Sequence, residues 1–255
     1  MNLKTFVAML RRDAHVARRN IVQLGFQTLL QPMMFVFVFG RVMTTSGFMS
    51  ESYKALLLPG IIAISMMMSG MWAVAMPLVA EFQWTKEIED RLLAPMELEW
   101  LAIEKVVAGM IQALFTGLIV FPMARVVMGQ VNVSLDHLPL FIALALLVAM
   151  LSASFGLFLG STVGQQQIGI MFSAVVAPMI FFGCTYYPWQ ALQSFPILKR
   201  AVLLNPLVYA SEGFRSALAP AFPHLANAAI LAGLALFNTL FVVLGLRQFR
   251  RKAIT

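Results

Sequence analysis

Residues 138–198 read LPLFIALALLVAMLSASFGLFLGSTVGQQQIGIMFSAVVAPMIFFGCTYYPWQALQSFPIL. The stretch holds no Asp, Glu, Lys or Arg. A helix needs about 20 mostly apolar residues to cross roughly 30 Å of hydrocarbon. This run is long enough for two crossings and a turn. Gly164, Gln165, Gln166 and Gln167 mark the turn, which predicts helices over 138–163 and 168–186.

Working outward, the same test finds apolar windows at 21–40, 55–80, 106–124 and 225–246. The expected fold is therefore all-α and integral to the membrane, with six transmembrane helices. A β-barrel needs alternating segments of about ten residues, and these unbroken runs lack that pattern. Composition agrees. Of 255 residues, 60% are hydrophobic and only 11% charged, against roughly 25% charged in a soluble domain. Mean hydropathy is +0.85. A soluble globule could not bury so much apolar surface, and a disordered chain would need low hydrophobicity and high charge. No linker or internal repeat divides the sequence, so 1–255 reads as a single membrane domain.

The net charge is +7. In a soluble protein that would suggest nucleic acid; here it suggests the bilayer, because Lys and Arg collect on the cytoplasmic side. With the N-terminus inside, twelve Lys and Arg fall on inner segments and six on outer ones. Both termini are therefore expected in the cytoplasm. Residues 1–20 place Leu3, Phe6, Val7, Leu10, Ala14 and Ala17 on one helical face, with Lys4, Arg11, His15 and Arg18 opposite. Arg12 and Arg19 add further charge. Such a helix lies in the membrane interface, and it suits an anchor as well as a docking surface.

The chain lacks the usual enzymatic signatures. There is no G-x-x-x-x-G-K-[ST] phosphate loop, no G-x-S-x-G and no H-E-x-x-H. His15, His137 and His224 fall in interfacial or loop segments, and Cys184 is the sole cysteine. No metal set or catalytic residue is expected. The six apolar windows carry no Asp, Glu, Lys or Arg, which argues against an ion-coupled pump.

The informative loop is 81–105. It holds seven of the chain's eleven acids: Glu81, Glu87, Glu89, Asp90, Glu97, Glu99 and Glu104. Trp84, Ile88 and Leu92 make one apolar face of a short helix, Glu87 and Arg91 pair at i, i+4, and Pro95 stops it. An acidic face is repelled by the anionic inner leaflet, so a protein partner explains it better than the membrane does. Gly156, Gly160 and Gly164 repeat every four residues, the spacing that lets helices approach closely. After the fifth window, Tyr186, Tyr187 and Trp189 form an aromatic belt. Pro188, Pro196 and Pro206 then break an apolar stretch into short pieces, which predicts a re-entrant helical hairpin over 187–224 at the outer face.

These last residues carry a resemblance. Pro178 is followed by Phe181, Gly183, Tyr186, Tyr187 and Pro188, and then by Asn205, Pro206, Leu207, Tyr209, Glu212 and Arg215. This resembles the F-x-G-x-x-Y-P and N-P-L-x-Y-x-x-E-x-x-R segments of type-2 ABC exporter permeases, the group of daunorubicin-resistance, nodulation-factor and polysaccharide exporters. The loop is similar to that family's coupling helix at Ile88, Glu89, Leu92, Ala94 and Pro95. Lys86 and Glu87 stand where the family has Gly-Thr, and Lys105 fits a lysine that often opens the third span.

The resemblance implies a multi-pass permease of the bacterial inner membrane that hydrolyses nothing itself. It would pair as a homodimer or heterodimer, with ATP and Mg bound by a separate ABC ATPase subunit. It assigns coupling to Trp84, Glu87, Ile88, Glu89, Asp90 and Arg91. The cargo it implies is an amphipathic lipid-, glycolipid- or drug-like molecule moved outward. Phe35 and Phe39 share a face and Phe37 does not, too little for a sugar-stacking channel. A membrane scaffold and a stand-alone facilitator are the alternatives from other classes.

Overall fold

The computed structural model describes residues 10–12, 30, 32–83, 98–129, 131, 133, 134 and 136–254. Among them every regular element is helical and there is no strand. The elements are α1 (Pro32–Thr45), α2 (Tyr53–Gln83), α3 (Leu98–Met128), α4 (Leu138–Thr162), α5 (Ile168–Phe181), α6 (Pro196–Ala201), α7 (Pro206–Leu218) and α8 (Asn227–Ile254).

Four helices are long and apolar enough to cross a membrane: Tyr53–Phe82, Glu99–Met128, Leu138–Thr162 and Asn227–Ala253. They coincide with four of the six expected windows. The other two windows hold shorter apolar helices, α1 and α5. Each rises about 21 Å at 1.5 Å per residue, less than the hydrocarbon thickness. Most of the first window before Pro32 lies outside the described residues. The fifth helix stops at Phe181, short of the expected 186. The backbone leaves helical geometry at Phe182 (ψ 13°) and enters the left-handed region at Cys184 (φ 52°). Both short helices contain a π-helical stretch, Val36–Val42 in α1 and Phe172–Val176 in α5.

The centre of the bundle is α2. Its most apolar window is 78% buried, against 28% in α3 and 22% in α8. Leu57, Ile61, Ile62, Met67, Met71, Val74 and Leu78 are wholly enclosed. It packs against α3, α4 and α7, and α8 closes the far side of α4. Small residues permit this. A Cβ on Gly156 would lie 2.5 Å from the Met71 carbonyl oxygen, and one on Gly160 would lie 2.9 Å from the Ala75 Cα. Lipid is as apolar as these side chains, so close packing and shared polar contacts must hold the helices together. Thr116 Oγ1 donates to Ser69 Oγ at 2.7 Å between α3 and α2, and Asn238 Nδ2 donates to the Leu147 carbonyl at 3.1 Å between α8 and α4.

The bundle has two distinct ends. At one, Tyr53 OH donates to the Tyr186 carbonyl at 2.9 Å, and Ser134 N–H to the Leu218 carbonyl at 2.9 Å. This end carries residues 187–224, where the sequence predicts a hairpin, and is called the hairpin end after that expectation. At the other, the Phe82 and Phe249 rings meet edge-on with centroids 5.7 Å apart. Residues 84–97 connect α2 to α3 from this loop end.

Candidate functional site

The hairpin end gathers the patterned residues of 183–215 into one polar lock. Asn205 starts it. Its Oδ1 accepts the Leu207 N–H at 3.0 Å, capping α7, and its Nδ2 donates to the Met179 carbonyl at 2.8 Å. Pro206 follows at the first helical position, where its missing N–H is harmless. In α7 every residue except Tyr209 is buried.

Glu212 and Arg215 lie one turn apart on α7, with no exposure. Glu212 Oε1 accepts the Trp189 N–H at 3.0 Å and an Arg215 Nη1–H, while Oε2 accepts the Leu225 N–H at 2.8 Å. Arg215 Nη2 donates to the Cys184 carbonyl at 2.9 Å. One ion pair thus holds the chain leaving α5, the turn at Trp189 and the entry to α8. Burial pulls the Arg215 guanidinium below its ordinary value, and the Glu212 carboxylate opposes that shift.

The other motif residues complete the lock. A Cβ on Gly183 would come 2.5 Å from Leu207 Cδ2 and 2.8 Å from the Met179 carbonyl oxygen, so a side chain there would force its neighbours to shift. Tyr187 OH donates to the Phe181 carbonyl at 3.1 Å, and Tyr209 OH to the Leu203 carbonyl at 3.0 Å. Pro188 caps the Trp189–Ser194 turn in extended geometry. The Tyr186 ring packs on Phe35 and Phe39, each at 5.3 Å, whereas Phe37 is half exposed. The partners that sequence reading missed are mostly backbone atoms. They include the Cys184 carbonyl and the Trp189 and Leu225 N–H groups. Gly60 was missed as well; a Cβ on it would lie 1.9 Å from the Thr185 carbonyl oxygen.

At the loop end, Lys105 Nζ lies 3.0 Å from Glu81 Oε1 and 4.0 Å from Glu104 Oε2. All three side chains are nearly or fully buried. The sequence places these residues in the loop 81–105 and expects no Asp, Glu, Lys or Arg inside a span. The helices are longer than the charge-free windows, so the three lie within α2 and α3. Mutual neutralisation of Glu81 and Lys105 lets the helical ends bury them.

Trp84, Glu87, Ile88, Glu89, Asp90 and Arg91 lie outside the described residues, as do Arg18 and Arg19. Arg11 and Arg12 are helical and exposed. Gly156 and Gly160 face α2, but Gly164 lies past the end of α4, where its N–H donates to Gln167 Oε1 at 3.2 Å. Among the described residues no group of three His, Cys, Asp or Glu could hold a metal ion.

These features hold apolar helices and their connections together. Comparison with known proteins agrees with that character. The inner membrane transport permease YadH of Escherichia coli K12 is 29% identical over 209 residues, covering 77% of each chain. The permeases of the same name from Escherichia coli O157:H7 and Shigella flexneri match to the same extent. The family model for ABC-2 type transporters matches residues 4–219. This chain, a transport subunit rather than an enzyme, belongs to the ABC-2 type transporter family.

Proposed function

We propose that this chain is the membrane-spanning permease of an ATP-driven exporter of the inner membrane. It moves an amphipathic lipid-, glycolipid- or drug-like cargo outward, and a separate ABC ATPase subunit binds ATP and Mg. Two permease copies, identical or homologous, complete the pathway. In this reading α1 and α5 are the first and fifth of six crossings and both termini are cytoplasmic. The hairpin 187–224 then faces outward, and 1–20 lies along the inner interface.

The observation that carries the reading is the loop end. An acid-rich segment, 84–97, leaves from two helices rooted by the buried Glu81–Lys105 pair. An acidic segment on a firm base suits a partner that pushes. Glu87, Glu89, Asp90 and Arg91 supply its charges, and Trp84 and Ile88 its apolar contacts.

The test is affinity purification of the tagged chain from native membranes solubilised in two mild detergents. A stoichiometric nucleotide-binding subunit is the expected result. Its absence from both preparations turns the reading toward a scaffold or facilitator. Within the complex, replacing Glu89 and Asp90 together by Lys should lower ATP-driven transport about tenfold or more while membrane insertion stays normal. Unchanged transport in that double variant would sink the coupling assignment.

A further inference from the structure

The last two turns or so of α8 carry Arg247, Arg250, Arg251 and Lys252. The three arginines are exposed. Lys252 turns inward. Its Nζ donates to the Gly160 and Val163 carbonyls, both at 3.3 Å, and stands 4.8 Å above the centre of the Phe82 ring.

Each contact has its own chemistry. The last carbonyls of α4 have no partner within the helix. A cation placed there also opposes the helix dipole. The Phe82 face attracts the same ammonium, which lies within the roughly 6 Å reach of a cation–π contact. Phe82 further packs on Phe249, which is almost fully enclosed. Gly160 gives its carbonyl to Lys252 and meets α2 at Ala75 through its missing side chain. One ammonium therefore joins the ends of α2, α4 and α8. Phe82 lies two positions before Trp84, where the acid-rich segment begins.

An orientation signal needs only a cation near the headgroups, and the exposed arginines meet that need. Nothing in that role requires a lysine folded back onto two carbonyls and a ring. We propose that Lys252 is a positioning residue for transport, pinning the root of the 84–97 segment to α4 and α8 so that a push on the segment moves these helices together. The proposal rests on the ATPase-coupled reading above. Without the pin, the end of α2 slides past α4 and α8, the permease cannot complete the movement that the partner's cycle requires, and ATP turnover slows with transport.

The experiment compares Lys252→Met and Lys252→Arg in the full chain, purified with whatever ATPase accompanies it. Methionine keeps the apolar stem and removes the charge. Arginine can still reach both carbonyls and stack on Phe82. Lys252→Met should keep the yield and the co-purified ATPase of the wild type. Its kcat for ATP should fall about fivefold or more with KM little changed. Lys252→Arg should recover at least about half of the wild-type turnover. Hydrogen exchange on the intact chain supplies a readout that needs no partner. Amides of the peptide spanning 159–167 should exchange about tenfold faster in Lys252→Met and return toward wild type in Lys252→Arg.

Wild-type turnover in Lys252→Met overturns the proposal. So does equal loss in both variants together with loss of bound ATPase, which marks a residue needed only for assembly. If the wild-type chain brings down no ATPase, the exporter reading fails and the coupling role fails with it. The exchange experiment then still decides whether Lys252 holds the helix ends.

Discussion

The Glu212 carboxylate is completely enclosed and accepts three hydrogen bonds, two of them from backbone N–H groups at Trp189 and Leu225. This makes the pair with Arg215 unlike an ordinary buried salt bridge. Replacing both partners of an ordinary pair by apolar residues is often neutral, while removing one costs about 3–5 kcal/mol. Here no apolar side chain can serve the two backbone donors. Arg215→Met should destabilise the detergent-solubilised protein by about 3–5 kcal/mol. The double variant Glu212→Leu with Arg215→Met should recover nothing, because orphaned buried N–H groups carry their own penalty of about 1–3 kcal/mol each. Thermal unfolding followed by gel filtration measures both. A double variant as stable as wild type would show that the backbone contacts are dispensable. The motif was legible as a set of residues. Its purpose was not, since a side chain that satisfies backbone atoms 13 to 31 positions away leaves no local pattern in sequence.

Among elements, the α2–α4 seam was the most readable and the helix ends the least. Gly156 and Gly160 announce close packing by spacing alone, and the structure puts each against α2 backbone. Gly156→Leu should therefore force the helices apart, at about 1–3 kcal/mol or more. Gly169→Leu is the control: a Cβ there meets nothing within 4 Å, so a stability change should be small. Equal loss in both variants would mean that the seam is not what the glycines serve. Charge-free windows located α2, α3, α4 and α8 because hydrocarbon excludes lone charges. They misplaced the ends of α2 and α3 for the same reason, since Glu81 and Lys105 neutralise each other and continue into the helices. The fifth window overran α5 because an apolar run does not reveal where a backbone turns. The turn at Cys184 is held by Arg215, far along the chain.

For the whole molecule, the arrangement of ends makes sidedness testable with few substitutions. The hairpin end carries the 182–226 segment and the start of α2; the loop end carries the close of α2 and the last turn of α8. Lipid or protein between them must separate two aqueous faces if the four long helices cross. The natural cysteine is a poor probe of this, because Cys184 is fully enclosed. It should resist a membrane-impermeant maleimide from either side and label only after unfolding. Two exposed positions serve better in a Cys184→Ser background. Ile197, in α6 at the hairpin end, is 85% exposed, and Arg250, near the C-terminal end of α8, is exposed at the loop end. With the termini cytoplasmic, Ile197→Cys in intact spheroplasts should label from outside. Arg250→Cys should stay unlabelled until the membrane is opened. The reverse pattern would invert the molecule and place the acid-rich segment out of reach of any cytoplasmic ATPase. Labelling of both from outside would mean that the two ends do not lie on opposite faces. Only the first result leaves the loop end where a nucleotide-driven partner can push on it.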